Sequence, residues 1–297
     1  MEQKIEFYRT HSMVSSPGEY SYMFDYQSSD ILEICEKSFP LILNDFLVES
    51  NCMNIPECSK GGDMYISSMA KRLERVQVRM DLLRNGLGYD SFSIGNSRDI
   101  SLLICSILRH NSIPSRVRSG FVTFLDPIKK TEHCICEVWN WEEERWQWID
   151  GWMYQIERKM NLLPAEYSQI LSIPDFCSLD VSPEFFIPGC EAWYRCRIRK
   201  DEFRLFGDIS EGYHGEWFVR DNMIRDLFCL NKIEPLLNEC WGKMGPENSF
   251  MDRILYHLYD QMALAMIMED TPLEKIDFFC SLTNANVVHD AYEYAYS

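Results

Sequence analysis

Residues 95 to 150 restrict the fold more than any other part of the chain, because a single apolar helix there is followed at once by three strand-like runs. Ile100, Leu103, Ile104, Ile107 and Leu108 recur at helical spacing between Asn96 and His110, after Gly95 and before the breakers Asn111, Ser112 and Pro114. That density of apolar side chains predicts a mostly buried helix. The runs RVRSGFVTFL, HCICEVWNW and RWQWIDG then switch to β-branched and aromatic texture, with a turn predicted over Trp141 to Arg145. A helix followed by an antiparallel meander is an α+β pattern, with the helix packed on the sheet.

The flanks read as helical. In DILEICEKSFPLILNDFLVES, residues 30 to 50, Ile31, Leu32, Ile34, Cys35, Phe39, Leu41, Ile42, Phe46 and Leu47 keep broadly helical spacing, with a kink or turn expected at Pro40. A second helix is expected from about Met64 to Leu87, stopped by Gly86 and Gly88. Past Gly151, Pro164, Pro174, Pro183 and Pro188 punctuate a loop-rich section, before DNMIRDLFCLNKIEPLL and NSFMDRILYHLYDQMALAMIM resume helical spacing. Three parts are therefore expected: a helical region over 1–90, a core over 91–200, and a helical region over 201–297 packed on that core. The ending HDAYEYAYS reads as a frayed tail.

Composition sets the class. With 297 residues, 46% of them hydrophobic, the chain can bury a large core without staples. Lys and Arg number 29 against 46 Asp and Glu, and the formal charge of −17 would repel a phosphate backbone or an anionic membrane surface. Nucleic acid and membrane are thus not expected partners. The start MEQKIEFYRTHS has no apolar run behind its charges, so the expectation is a cytoplasmic protein. The 12 cysteines lack repeated C-x-x-C spacing and read as reduced, small apolar side chains. His133, Cys134 and Cys136 resemble a ligand set, but strand alternation sends His133 to one face and both cysteines to the other. No metal and no cofactor is expected.

Three residues ask to be weighed together: Ser97 in the first turn of the buried helix, His133 two strands later, and Asp150 at the end of the next strand. A nucleophile at a helix N-terminus meets the positive end of the macrodipole and free backbone N–H groups, which favour a developing oxyanion. The short connection between the last two strands suggests antiparallel pairing, which would let a carboxylate orient the imidazole. Each residue also has a plainer reading: a cap, a satisfied strand histidine and a turn former.

The quoted residues carry a resemblance. GNSRDISLLICSILRHNSIPSRVRSGF, then EHCICEVW, then RWQWID resemble the transglutaminase-like core of the papain-like group, in which a Cys opens the helix and His and Asp follow on consecutive strands. The motif match covers residues 95 to 151. Later runs, FFIPGCEAWYRCR, LFGD, GEWFVRDNMIRDL and LNKIEPLL, look like those of a bacterial branch of transglutaminase-like proteins that adds no known chemistry. The resemblance implies acyl transfer through a Cys/Ser–His–Asp triad of Ser97, His133 and Asp150, forming or hydrolysing an amide bond. The partners it implies are an acyl donor (a small molecule, a peptide or a carrier-bound thioester) and an amine or water acceptor, with intracellular small-molecule biosynthesis as the expected setting.

This chain departs from the pattern at the decisive position, carrying Ser97 where the family has Cys. A thiol can be held as thiolate beside an imidazolium, whereas a hydroxyl needs its proton removed during attack. Three explanations stay open: a Cys replacement that inactivates the enzyme, a natural serine enzyme, or a protein that has lost its chemistry and keeps the cleft as a binding module. Asn96, Arg98, Trp152, Glu191 and Trp193 are the expected substrate-binding residues, although Asn96 also reads as a cap and Arg98 as a partner of Asp99 or Glu137. Trp139, Trp146 and Trp148 could wall a cleft or fill a core, and Asn222, Arg225 and Asp226 could line its far side or pair among themselves.

Overall fold

The computed structural model describes residues 2–25, 28–50, 63–88, 91–164, 172–208, 212–248, 250–268 and 270–283. The tail HDAYEYAYS lies outside the described residues, as do Cys52 and Cys58. The fold is α+β, and the chain divides into two compact units, each assembled from separated stretches.

The first unit holds residues 2–117 and 134–182. It begins with α1 (Glu2–Phe7) and α2 (Ile31–Ser38), the latter capped by Asp30, whose side chain accepts the Leu32 N–H. The helix expected across 30–50 then breaks. Its second half is a strand, β1 (Ile42–Asn44), followed by a short helix, α3 (Asp45–Glu49). Pro40 does not continue the helix, and Leu41, Ile42 and Leu43 form a buried apolar run that periodicity does not distinguish from a helix. Helix α4 (Met69–Arg84) is shorter than expected at both ends, opening at Ser68, whose hydroxyl accepts the Lys71 N–H. Strand β2 (Ser93–Gly95) pairs parallel with β1, Asn44 lying opposite Gly95.

From the end of β2 springs α5 (Ser97–His110), the predicted buried helix, with every side chain from Ser97 to Arg109 buried. Such complete burial obliges its polar residues to find protein partners. Strands β3 (Ser115–Val122) and β4 (Lys130–Asn140) are each divided between the two units, and β5 (Arg145–Ile149) pairs antiparallel with β4 from Cys136↔Ile149 to Asn140↔Arg145. The predicted turn closes this hairpin: the Asn140 side chain accepts the N–H groups of Glu142 and Glu143, and Glu144 takes φ 52°. Helix α6 (Gly151–Lys159) follows directly. The strand order of the sheet is β5-β4-β3-β6, with β7 on β4.

The second unit holds residues 118–133 and the chain from 183 onward. Here β3 pairs antiparallel with β6 (Phe186–Pro188), whose end opens α7 (Gly189–Tyr194). A single π-helical turn over Arg195–Arg199 continues α7 and stops at Lys200 in the left-handed region. Strand β7 (Phe206–Gly207) pairs parallel with the start of β4. Helix α8 (Glu216–Leu230) starts earlier than DNMIRDL suggested and ends at Leu230, so all of NKIEPLL lies outside it. Helices α9 (Arg253–Ile267) and α10 (Leu273–Leu282) complete the unit. Among the described residues no helix is long and apolar enough to cross a membrane.

Candidate functional site

The start of α5 is fixed by a reciprocal cap. Asn96 Oδ1 accepts the Asp99 N–H and Asp99 Oδ2 accepts the Asn96 N–H, both at 3.2 Å, which satisfies two of the helix's orphan donors. Asp99 is itself clamped between two buried guanidiniums, Arg72 Nη2 at 2.9 Å from Oδ2 and Arg98 Nη1 at 3.1 Å from Oδ1. Arg72 spends its remaining donors on Ser93 Oγ and on the carbonyls of Asp63, Ile66 and Ile94. A buried charge is tolerated only when paired and fully hydrogen-bonded, and this one ties α4, β2 and the first turn of α5 together.

Ser97 occupies the first helical position and is 5% exposed. Its Oγ accepts the Cys134 N–H at 3.1 Å, and one turn later Ser101 Oγ donates to the Cys134 carbonyl at 3.0 Å. The cause lies in the hairpin register. Trp139 donates its N–H to Pro114 O, so alternate residues such as Cys136 and Cys134 turn their backbone groups to the opposite edge, where β5 runs. Strand β5 ends at Ile149, opposite Cys136. Two residues further on, α5 replaces it, and two serine hydroxyls do for Cys134 what a strand would have done. The amide that Ser97 accepts is the one joining Cys134 to His133. His133 is 2% exposed and is the last residue of β4 in the second unit.

Asp150 follows the end of β5, with φ −100° and ψ 87°, and caps α6. It is fully buried, its Oδ1 accepts the Met153 N–H at 2.9 Å, and its own N–H donates to Ser178 O at 2.7 Å. The β4–β5 register ends at the pair Cys136↔Ile149, one residue before Asp150. Helix α6 reaches α5 through Gly151, where a Cβ would stand 2.2 Å from Ile104 Cδ1. The buried carboxyl of Asp150 also helps burial push the Cys35 thiol up to about 12.

The residues expected to bind substrate have protein partners. Asn96 is the cap, and Arg98 is buried on Asp99. Trp152 is 8% exposed and donates its indole N–H to Asp45 Oδ1 at 3.0 Å. In the second unit Glu191 pairs with Arg195 at 2.9 Å, and Trp193 is fully buried with its indole N–H on Asp260. Asn222 and Arg225 both donate to Glu132, while Asp226 takes Arg118 through two bonds of 2.7 and 2.8 Å. Burial pushes the Glu132 carboxyl up, with Arg225 opposing. Trp148 donates to Glu137, which also pairs with Arg116, and the Arg116 guanidinium lies 4.0 Å from the centre of the Trp146 ring. Two roles were not read from sequence: Cys134, weighed there only for its thiol, contributes a backbone amide, which no side-chain motif records, and Asp45 sat inside a run read as helix.

The sequence matches no family model, and no curated protein matches it. Among solved structures it is similar to the "Putative Cysteine Protease" from Cytophaga hutchinsonii, at 14% identity and a TM-score of 0.31, over 56% of this chain and 45% of that one. This chain therefore spans less than half the length of that protein.

Proposed function

We propose that residue 97 is the nucleophile position of a transglutaminase-like acyl-transfer site. The observation that carries this reading is the Ser97 side chain at the mouth of α5, its Oγ 3.1 Å from the amide nitrogen next to His133. In this reading the heteroatom of residue 97 attacks a carbonyl carbon and His133 takes its proton. Asp150 orients the imidazole, and the first N–H groups of α5 receive the oxyanion. The acyl group then passes to an amine or to water. A hydrogen bond from the Cys134 N–H favours whichever form of residue 97 carries negative charge, a gain for a thiolate above all. On this ground Cys is the residue that suits position 97, and Ser97 is the weaker nucleophile.

The second reading is a non-catalytic protein that keeps the cleft as a binding module. It is favoured by the pairing of Ser97 and Ser101 on the two backbone groups of Cys134, which gives the Ser97 hydroxyl a structural task at the sheet edge. The two readings separate in one experiment. Ser97→Cys, treated with p-nitrophenyl acetate at neutral pH, should release a stoichiometric burst of nitrophenol and carry one acetyl group on residue 97, located by peptide mass spectrometry. His133→Ala in the same background should abolish the burst. The exposed thiols Cys177 and Cys240 serve as internal controls. Acetylation of residue 97 no faster than theirs would sink the acyl-transfer reading and leave the binding one.

A further inference from the structure

Helix α5 closes, at the end away from Ser97, in a Schellman motif. Ser112 takes φ 58°, its N–H donates to Arg109 O at 3.0 Å, and the Ile113 N–H reaches back to Leu108 O at 2.8 Å. The Asn111 N–H takes Ile107 O at 3.1 Å. The next carbonyl, that of His110, has no donor four residues on, because residue 114 is proline. This end of the helix also carries the negative pole of its macrodipole. By the helical rise it lies about 20 Å from residue 97.

A cleft of about 630 Å³ opens there, a volume within the range of small-molecule sites. It is lined by residues 110–113 and, from the segment before α2, by Phe24, Asp25, Ser28 and Ser29, all of the first unit. The lining offers acceptors and little positive charge. The Asp25 carboxylate is 67% exposed and takes no hydrogen bond among the described residues. His110 Nε2 stands 3.6 Å from its Oδ1, too far for a hydrogen bond. Asn111 spends its side-chain N–H on Ile107 O at 3.0 Å, which leaves Oδ1 as an acceptor with no partner among the described residues. No Lys or Arg lines the cleft among the described residues. Apolar surface comes from the half-buried Ile113 and from Phe24 at the floor, whose ring meets the His110 ring edge-on with 5.9 Å between centres.

We propose that this cleft binds a primary ammonium ligand with a short apolar body. An ammonium brings one positive charge and three N–H donors. The Asp25 carboxylate meets the charge, Asn111 Oδ1 and the His110 carbonyl take the remaining N–H groups, and the body lies against Ile113 and the His110 ring. An anion of the same shape meets the Asp25 charge, the negative end of α5 and a chain of formal charge −17. A neutral alcohol fills the same space with one donor and no charge. The inference is independent of the acyl-transfer reading and involves no covalent step.

The test compares three ligands of one shape on the unaltered protein: benzylamine, protonated at neutral pH, benzyl alcohol and benzoate. Each is titrated at millimolar concentration and followed by NMR through the backbone amide shifts of residues 110–113. Benzylamine should bind about tenfold more tightly than benzyl alcohol, and benzoate most weakly. Asp25→Asn keeps the shape of the side chain and removes its charge. It should weaken benzylamine about tenfold and leave benzyl alcohol unchanged, tenfold being the low end for a hydrogen bond to a charged group, as suits a carboxylate in contact with water. Asp81→Asn removes the same charge from the exposed side of α4 and should change neither ligand. Equal affinity for amine and alcohol, a preference for benzoate, benzylamine binding that Asp25→Asn leaves unchanged, or no shift at residues 110–113 would each overturn the inference. None of these results bears on residue 97.

Discussion

Ser97 Oγ and the Cys134 amide nitrogen stand 3.1 Å apart, in a bond that joins the first turn of a buried helix to the edge of a strand. With the Ser101 to Cys134 bond at 3.0 Å, it substitutes for the partner that β5 would have supplied had it continued past Ile149. One side chain therefore has two claims on it, structural and chemical, and they can be measured separately.

Ser97→Ala should cost about 1–3 kcal/mol of unfolding free energy, because it strands a buried N–H without an acceptor. Ser97→Cys should cost less, since sulfur still accepts weakly. Urea denaturation of the three proteins checks this, and a Ser97→Ala protein as stable as the parent would mean that another acceptor, such as water, reaches the Cys134 amide.

The contact between α5 and α6 passes through the absence of a side chain. A Cβ on residue 151 would lie 2.2 Å from Ile104 Cδ1 and 2.9 Å from Ile100 Cγ2, so Gly151→Ala should destabilise by about 1–3 kcal/mol as the helices part. Ile104→Val removes the atom in the way. The double variant should regain most of the loss in thermal unfolding, and strictly additive losses would show that the clash is not with Ile104.

Asp45 should leave a signature in stability against pH. Its carboxyl titrates near 6 in the folded protein and near its ordinary 3.8 when unfolded, so the folded state binds the extra proton. The resulting stabilisation is fully present below about pH 4 and is lost as pH rises through about 6. Asp45→Asn should remove this component, giving a smaller decline between pH 4 and 6 in chemical denaturation. Identical slopes for parent and variant would place the Asp45 carboxyl in water.

Much of the first unit's scaffold was legible in sequence. The period of Ile100, Leu103, Ile104, Ile107 and Leu108 gave α5, and the change to alternating aromatic and β-branched residues gave the β4–β5 hairpin with its turn, because side-chain periods of 3.6 and 2 follow directly from backbone geometry. Residues 41 to 44 misled for the same reason. A strand buried on both faces has no alternation, and Leu41, Ile42 and Leu43 match a buried helix equally well. Trp152 and Trp193 could be read as cleft walls or core, and sequence carries no term for which buried carboxylate, Asp45 or Asp260, will meet each indole.

What the sequence alone determined is therefore local: an α+β order, a helix opening at Asn96 with Ser97 behind its cap, and a hairpin. What only the tertiary structure decided is which distant groups share a space, such as Ser97 with the Cys134 amide, Gly151 with Ile104, and Asp45 with Trp152. Periodicity and capping arise from a few neighbouring residues. Pairing across 37 or 107 positions arises from where strands end and which helix fills the vacated edge, and that is settled by packing the whole unit at once.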